Sequence, residues 1–155
     1  MSYQTTVPVA WMIGIVFAVT VSAADLRLVE AVKNKESEAV RALLRENVDV
    51  TTRQADGTSA LLWAAHWDDL ETADTLIKAG AEVNTGNDHG VTPLSLACRN
   101  GSAAMVEKLL DEGANPNVVE RTGETPLMTC ALTGSEEAVN SLLARGANVN
   151  AAEDR

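Results

Sequence analysis

The sequence predicts an all-α solenoid of stacked helix pairs with short β-hairpin tips. Three observations carry that expectation. Residues 54–86, 87–119 and 120–152 align without a gap, each segment opening 33 positions after the last by subtraction. Gly57, Gly90 and Gly123 fall in register, as do Gly80, Gly113 and Gly146, and Asn84, Asn117 and Asn150. Between these markers every copy carries apolar residues at helical spacing, bounded by residues that start or stop helices. A unit of this size cannot bury its apolar face alone, so neighbours stack and share one continuous core.

Composition supports the same reading. The chain has 155 residues, 46% hydrophobic and 22% charged, which suffices for one domain with a core. Aromatic residues make up only 3%, so the core must come mainly from Leu, Val and Ala, which suits small, closely packed helices. The net charge of -10 would repel nucleic-acid phosphates and argues against direct DNA or RNA binding. Acidity serves solubility first and, more specifically, suits a basic partner surface.

The N-terminal segment predicts export. Val7 to Val21 runs without a charge, and Val21-Ser22-Ala23-Ala24 then precedes the polar Asp25. Small residues after an apolar run match the cleavage pattern of a secretory signal peptide. Residues 1–23 are therefore expected to be removed, with the mature chain starting at Ala24 or Asp25. Residues 1–6 hold no Lys or Arg, which departs from the usual signal. The alternative is an uncleaved membrane anchor, although the run is shorter than the roughly 20 apolar residues of a spanning helix.

Residues 24–155 form the expected repeat domain, beginning with a degenerate capping copy over 24–53. Stepping back one period from Ala64, Ala73, Leu76 and Ile77 lands on Ala31, Val40, Leu43 and Leu44. Asn47 replaces the helix-ending Gly, as the next-best residue for a left-handed cap. Lys33, Lys35, Glu36 and Glu38 keep one side of this copy wet, as a terminal repeat requires.

Each later copy punctuates two antiparallel helices. Thr92-Pro93 and Thr125-Pro126 set an oxygen-bearing cap before a proline at the first helical position. Gly101 and Gly134 break the chain, and Ser102 and Ser135 are expected to cap the second helices. Val106, Leu109 and Leu110 form one buried stripe, and Val139, Leu142 and Leu143 the next. In residues 54–86, Ser59-Ala60 replaces Thr-Pro, and Asp68 takes the left-handed turn otherwise held by Gly.

The runs Gly-Val-Thr-Pro-Leu-Ser-Leu-Ala and Gly-Glu-Thr-Pro-Leu-Met-Thr-Cys, with Gly-Ala-x-x-Asn downstream, resemble the ankyrin repeat over nearly all of residues 25–155. The resemblance implies an ankyrin-repeat solenoid and a protein-binding role. The family usually carries His after Thr-Pro-Leu, where this chain has Leu62, Ser95 and Met128. An export signal followed at once by such repeats is similar to bacterial periplasmic or secreted ankyrin proteins.

Cys98 and Cys130 fall at small positions of first helices. Export would place them where disulfides form. Stacked helices, however, lie roughly 8–10 Å apart, beyond the roughly 7 Å at which two Cys Cα atoms can be bridged. The expectation is two buried thiols. His66 and His89 lie near Asp68, Asp69 and Asp88, but nothing has metal-ligand spacing, so no metal is expected. Without a nucleophile elbow or a phosphate-cradling loop, no catalytic site and no cofactor are expected.

The most informative local feature is Leu62-Trp63-Ala64-Ala65-His66-Trp67. Trp63 and Trp67 are four apart and project from one side of a helix. In the repeat register His66 and Trp67 resemble the partner-facing groove of ankyrin proteins, with Arg99, Asn100, Leu132 and Thr133 as their equivalents. Trp and Arg dominate binding hot spots. The expected contact patch comprises Trp63, His66, Trp67, Arg99, Asn100 and Leu132, with Asp88, His89 and Val91 from the hairpin tip. Against this, the rings could lie over Val29, Lys33 and the capping copy, since Trp is commonly half-buried either way.

The leading functional expectation is therefore a non-catalytic, monomeric protein-binding module outside the cytoplasm, with another protein as partner. A membrane-tethered scaffold and a fragment of a longer array are the alternatives. The last second helix reads like an internal one, so further repeats or a partner are expected to cover that end.

Overall fold

Helix starts in this chain are set by side chains that accept otherwise unpaired backbone N–H groups. In the computed structural model, which describes residues 23–151, Ser59, Thr92 and Thr125 accept from the N–H of Leu62, Ser95 and Met128. Asp69 and Ser102 do the same for Thr72 and Met105. Ser135 does not: its side chain makes no capping bond. Glu136 and Glu137 supply negative charge in that first turn instead. Residues 1–22 lie outside the described residues, and with them most of the expected signal peptide.

Eight helices result among the described residues. They are α1 (Ala23–Lys33), α2 (Ser37–Arg45), α3 (Ala60–His66), α4 (Leu70–Lys78), α5 (Pro93–Arg99), α6 (Ala103–Asp111), α7 (Pro126–Thr133) and α8 (Glu136–Ala144). Each repeat is one antiparallel pair. The first helices α1, α3, α5 and α7 stack in a row, and α4, α6 and α8 form a second row behind them. The short links between paired helices use left-handed backbone, at Asp68 (φ 55°) as at Gly101 (φ 67°). Asn47 (φ 55°) closes the capping copy in the same way.

The core is aliphatic. Ala64, Ala65 and Ala97 are fully buried between stacked first helices, where a larger side chain would force the rows apart. Val106, Leu109 and Leu110 are buried, and so are Ala31, Val40 and Leu43. In α8 only Leu142 is buried with Ala138; Val139 is half-buried and Leu143 is exposed, because no further described helix packs beyond it. Ser95, in the usual His position, is buried, and its hydroxyl meets that of Thr92 at 3.1 Å.

The tips are turns rather than paired strands. Two backbone bonds close each: Gln54 N–H to Thr58 O with Gly57 N–H to Gln54 O, Asn87 N–H to Val91 O with Gly90 N–H to Asn87 O, and Glu120 N–H to Glu124 O with Gly123 N–H to Glu120 O. The one bridge pairs Arg53 with Ser59, and no strand forms among the described residues. Successive tips are tied by asparagines. The Asn84 amide donates to Gly113 O while its oxygen accepts from Asn115 N–H, and Asn117 repeats both bonds with Gly146 and Asn148. The 33-residue register of Asn84 and Asn117 is thus the register of an inter-repeat link.

The cysteines correct the sequence expectation. Cys98 on α5 and Cys130 on α7 are joined as a disulfide, with Cα atoms 4.5 Å apart and both residues fully buried. The expectation of two thiols compared an interaxial distance with a Cα distance. Each Cα sits about 2.3 Å from its helix axis, so helices roughly 8–10 Å apart bring facing Cα atoms to about 3.4–5.4 Å.

Candidate partner-binding site

The residues singled out at the ends of the first helices belong to two registers. One holds Trp67, Asn100 and Thr133, and all three reach across to the preceding repeat. Trp67 Nε1 donates to Lys33 O at 3.2 Å. The Asn100 amide donates to Ala65 O at 2.9 Å and to His66 O at 3.2 Å. Thr133 Oγ1 donates to Cys98 O at 3.1 Å. These acceptors lie in the last turn of a helix, where carbonyls lack intrahelical partners. This register therefore clamps repeats together.

Trp67 combines the two readings that the sequence set against each other. Its ring edge is bonded to the capping copy, and the Lys35 ammonium lies 4.1 Å from its centroid. Yet 39% of the residue remains exposed. Trp63 stacks on it with centroids 6.2 Å apart, and His66 sits edge-on to both rings. Trp63 Nε1 donates to Gln54 Oε1 at 3.1 Å, which holds the indole in place.

The other register holds His66, Arg99 and Leu132. Between the second and third repeats it borders a groove of about 260 Å³. Its walls include Leu62, Trp63 and His66 from α3, Val91 from the tip, and Leu96 and Arg99 from α5. Asp56 and Asn87 stand at its edge. The Thr58 N–H hydrogen-bonded to Asp56 Oδ1 at 2.9 Å holds that carboxyl below the usual carboxylate range. Arg99 Nη2 bonds Glu120 Oε2, and Glu120 is buried with its other oxygen unpartnered.

The structure thus gathers four of the nine expected contact residues, Trp63, His66, Val91 and Arg99, around one groove, with Trp67 stacked alongside. Asp88 and His89 are exposed on the adjoining tip, where Asp88 N–H donates to Asp56 O and His89 O accepts from Arg121 N–H. The Asn100 amide is committed to the clamp. Leu132 is 82% exposed on the last repeat and is not part of the groove walls. The sequence reading missed Asp56, Leu96 and Glu120. A signal existed for Glu120, which shares a register with Gln54 and Asn87, all polar and all facing a seam.

The groove combines the apolar side chains of Leu62, Val91 and Leu96 with polar neighbours and the Arg99–Glu120 ion pair. Among the described residues no three His, Cys, Asp or Glu side chains converge as metal ligands. A family model described as Ankyrin repeats (3 copies) matches residues 28–120 and 86–153. The chain belongs to the ankyrin-repeat family. A search of the curated proteins found no match. Ankyrin repeats are protein-interaction modules and are generally non-catalytic.

Proposed function

We propose that this ankyrin-repeat protein is a non-catalytic binding module that works outside the cytoplasm, as a monomer, on another protein. The groove between the second and third repeats carries the binding reading. It sets an indole, an imidazole and a guanidinium around an apolar floor, and Trp and Arg are the side chains that dominate interface energies. The buried Cys98–Cys130 disulfide supports the location, because disulfides persist in oxidising compartments and are rare in reducing cytosol. The uncharged apolar run before Ala23-Ala24 supports it from the sequence. Among the described residues no helix is long and apolar enough to cross a membrane.

Two measurements test the proposal. N-terminal sequencing of the protein from an envelope fraction should begin at Ala24 or Asp25; the full-length chain in the soluble cytoplasm would remove the export reading. Affinity capture from the same fraction should recover a protein that Trp63→Ala/His66→Ala releases, while circular dichroism shows the variant folded. A partner held equally well by that variant would place binding elsewhere.

A further inference from the structure

We infer that the groove between the second and third repeats takes an extended peptide segment carrying a Lys or Arg beside an apolar side chain. The inference rests on the protein-binding reading and adds the chemistry of what is bound. At about 260 Å³ the groove is smaller than the roughly 300–1,000 Å³ of small-molecule sites. It suits one or two side chains of a passing chain. Leu62, Leu96 and Val91 supply the apolar part of its lining, so one of those side chains is aliphatic or aromatic.

The charges at the edge fix the other. Arg99 is already neutralised by Glu120 and is not a free cation for an acidic partner. Asp56 is different. It forms no ion pair among the described residues, it is exposed, and its hydrogen bond from the Thr58 N–H keeps it ionised. Of the formally charged groups on the groove, it is the one left to meet an incoming chain. The exposed Asp88 on the next tip has the same sign. At longer range the net charge of -10 attracts basic segments and repels acidic ones.

The molecule also shows how such a site is filled. One repeat on, the equivalent position carries Arg99, whose guanidinium lies on the carboxylate of Glu120 from the following tip. At the groove the same two positions hold His66 and Asn87, which form no such bond and leave the space open. A basic side chain from outside, its aliphatic stem against Leu62 and Leu96, enters the space that Arg99 fills at the next seam, and its head meets Asp56 because Asn87 stands where that seam has Glu120.

The test pans a random peptide library against the full chain and measures the winners by fluorescence anisotropy. Enriched peptides should pair Lys or Arg with a neighbouring Leu, Ile, Val or Phe. Asp56→Asn should weaken them about fivefold, added salt should weaken them further, and Leu96→Ala should weaken them independently of salt. Acidic or wholly apolar winners that still depend on Leu96 would overturn the proposed chemistry and leave the binding-module reading standing. Basic winners indifferent to both variants bind elsewhere and overturn it as well. If nothing is enriched the inference fails, and capture of the envelope partner remains the separate test of protein binding.

Discussion

The seam between the second and third repeats and the seam between the third and fourth share a backbone and differ in what crosses them. At the first, His66 and Asn87 face each other across an open groove, and the clamp is the Asn100 amide on Ala65 O and His66 O. At the second, Arg99 closes on buried Glu120, Thr133 bonds Cys98 O, and Cys98 is covalently joined to Cys130. One seam is open and non-covalent; the other is filled and stapled. Stability in a stacked-repeat protein is close to a sum of nearest-neighbour interfaces, so a few residues can set each seam independently. One fold thus carries a crosslinked seam beside an open groove.

The strongest way to break this contrast is to remove the staple. Cys98→Ala/Cys130→Ala should cost about 3–4 kcal/mol, since the crosslink closes a loop across a sequence separation of 32. Urea unfolding of the wild type with and without reductant gives the matching control. An unchanged midpoint in both would show that the second seam does not depend on the bond. The capping seam comes next. Trp67→Ala removes the Nε1 bond to Lys33 O and the covered part of the ring. It should cost roughly 2–3 kcal/mol, less than a fully buried aromatic because the ring is partly exposed. If thermal unfolding hardly moves while affinity for the captured partner collapses, Trp67 belongs to the contact surface rather than to the clamp.

A smaller effect separates the two equivalent positions directly. Arg99→Ala leaves Glu120 buried without its cation and should cost about 2 kcal/mol, below the value for fully buried pairs because Arg99 can reach water. His66→Ala at the open seam should change stability by less than about 0.5 kcal/mol, as exposed substitutions do. Equal losses in chemical denaturation would erase the distinction. The smallest effect concerns acid. Asp49 and Asp56, hydrogen-bonded to Thr51 and Thr58, have carboxyls held below the ordinary 3.8. Their contribution is therefore fully present above that value and is lost as pH falls through the lower folded values. Melting temperature should drop slightly in that range, by an amount that exposure keeps small. Asp56→Asn should flatten part of the slope, and a slope untouched by the variant would remove Asp56 from the account.

Much of the fold was legible because its causes are local. Thr92-Pro93 and Thr125-Pro126 start helices through a side chain three residues from its donor, and Asn47 and Asp68 adopt the left-handed turn their short polar side chains tolerate. The 33-residue spacing then dictates stacking, since no copy can bury Val106, Leu109 and Leu110 alone. Even here locality had a limit. Ser135 has the sequence of a cap and makes no capping bond, and the hairpin tips close with two backbone bonds each rather than with strands.

The repeat register, the helix pairs and the aliphatic core follow from local patterning along the chain. Which residues meet across a seam depends on how the helices stack. Adjacent first helices do not align residue for residue: Cys98 meets Cys130 at a separation of 32, while Thr133 reaches Cys98 O and Asn100 reaches Ala65 O at 35. Those offsets come from the stagger between stacked helices, and a register read at 33 does not contain them. For that reason the disulfide, the clamp formed by Trp67, Asn100 and Thr133, and the pairing of Arg99 with Glu120 became visible only once the repeats were stacked. With the same stagger at both seams, His66 and Asn87 leave one open where Arg99 and Glu120 close the other.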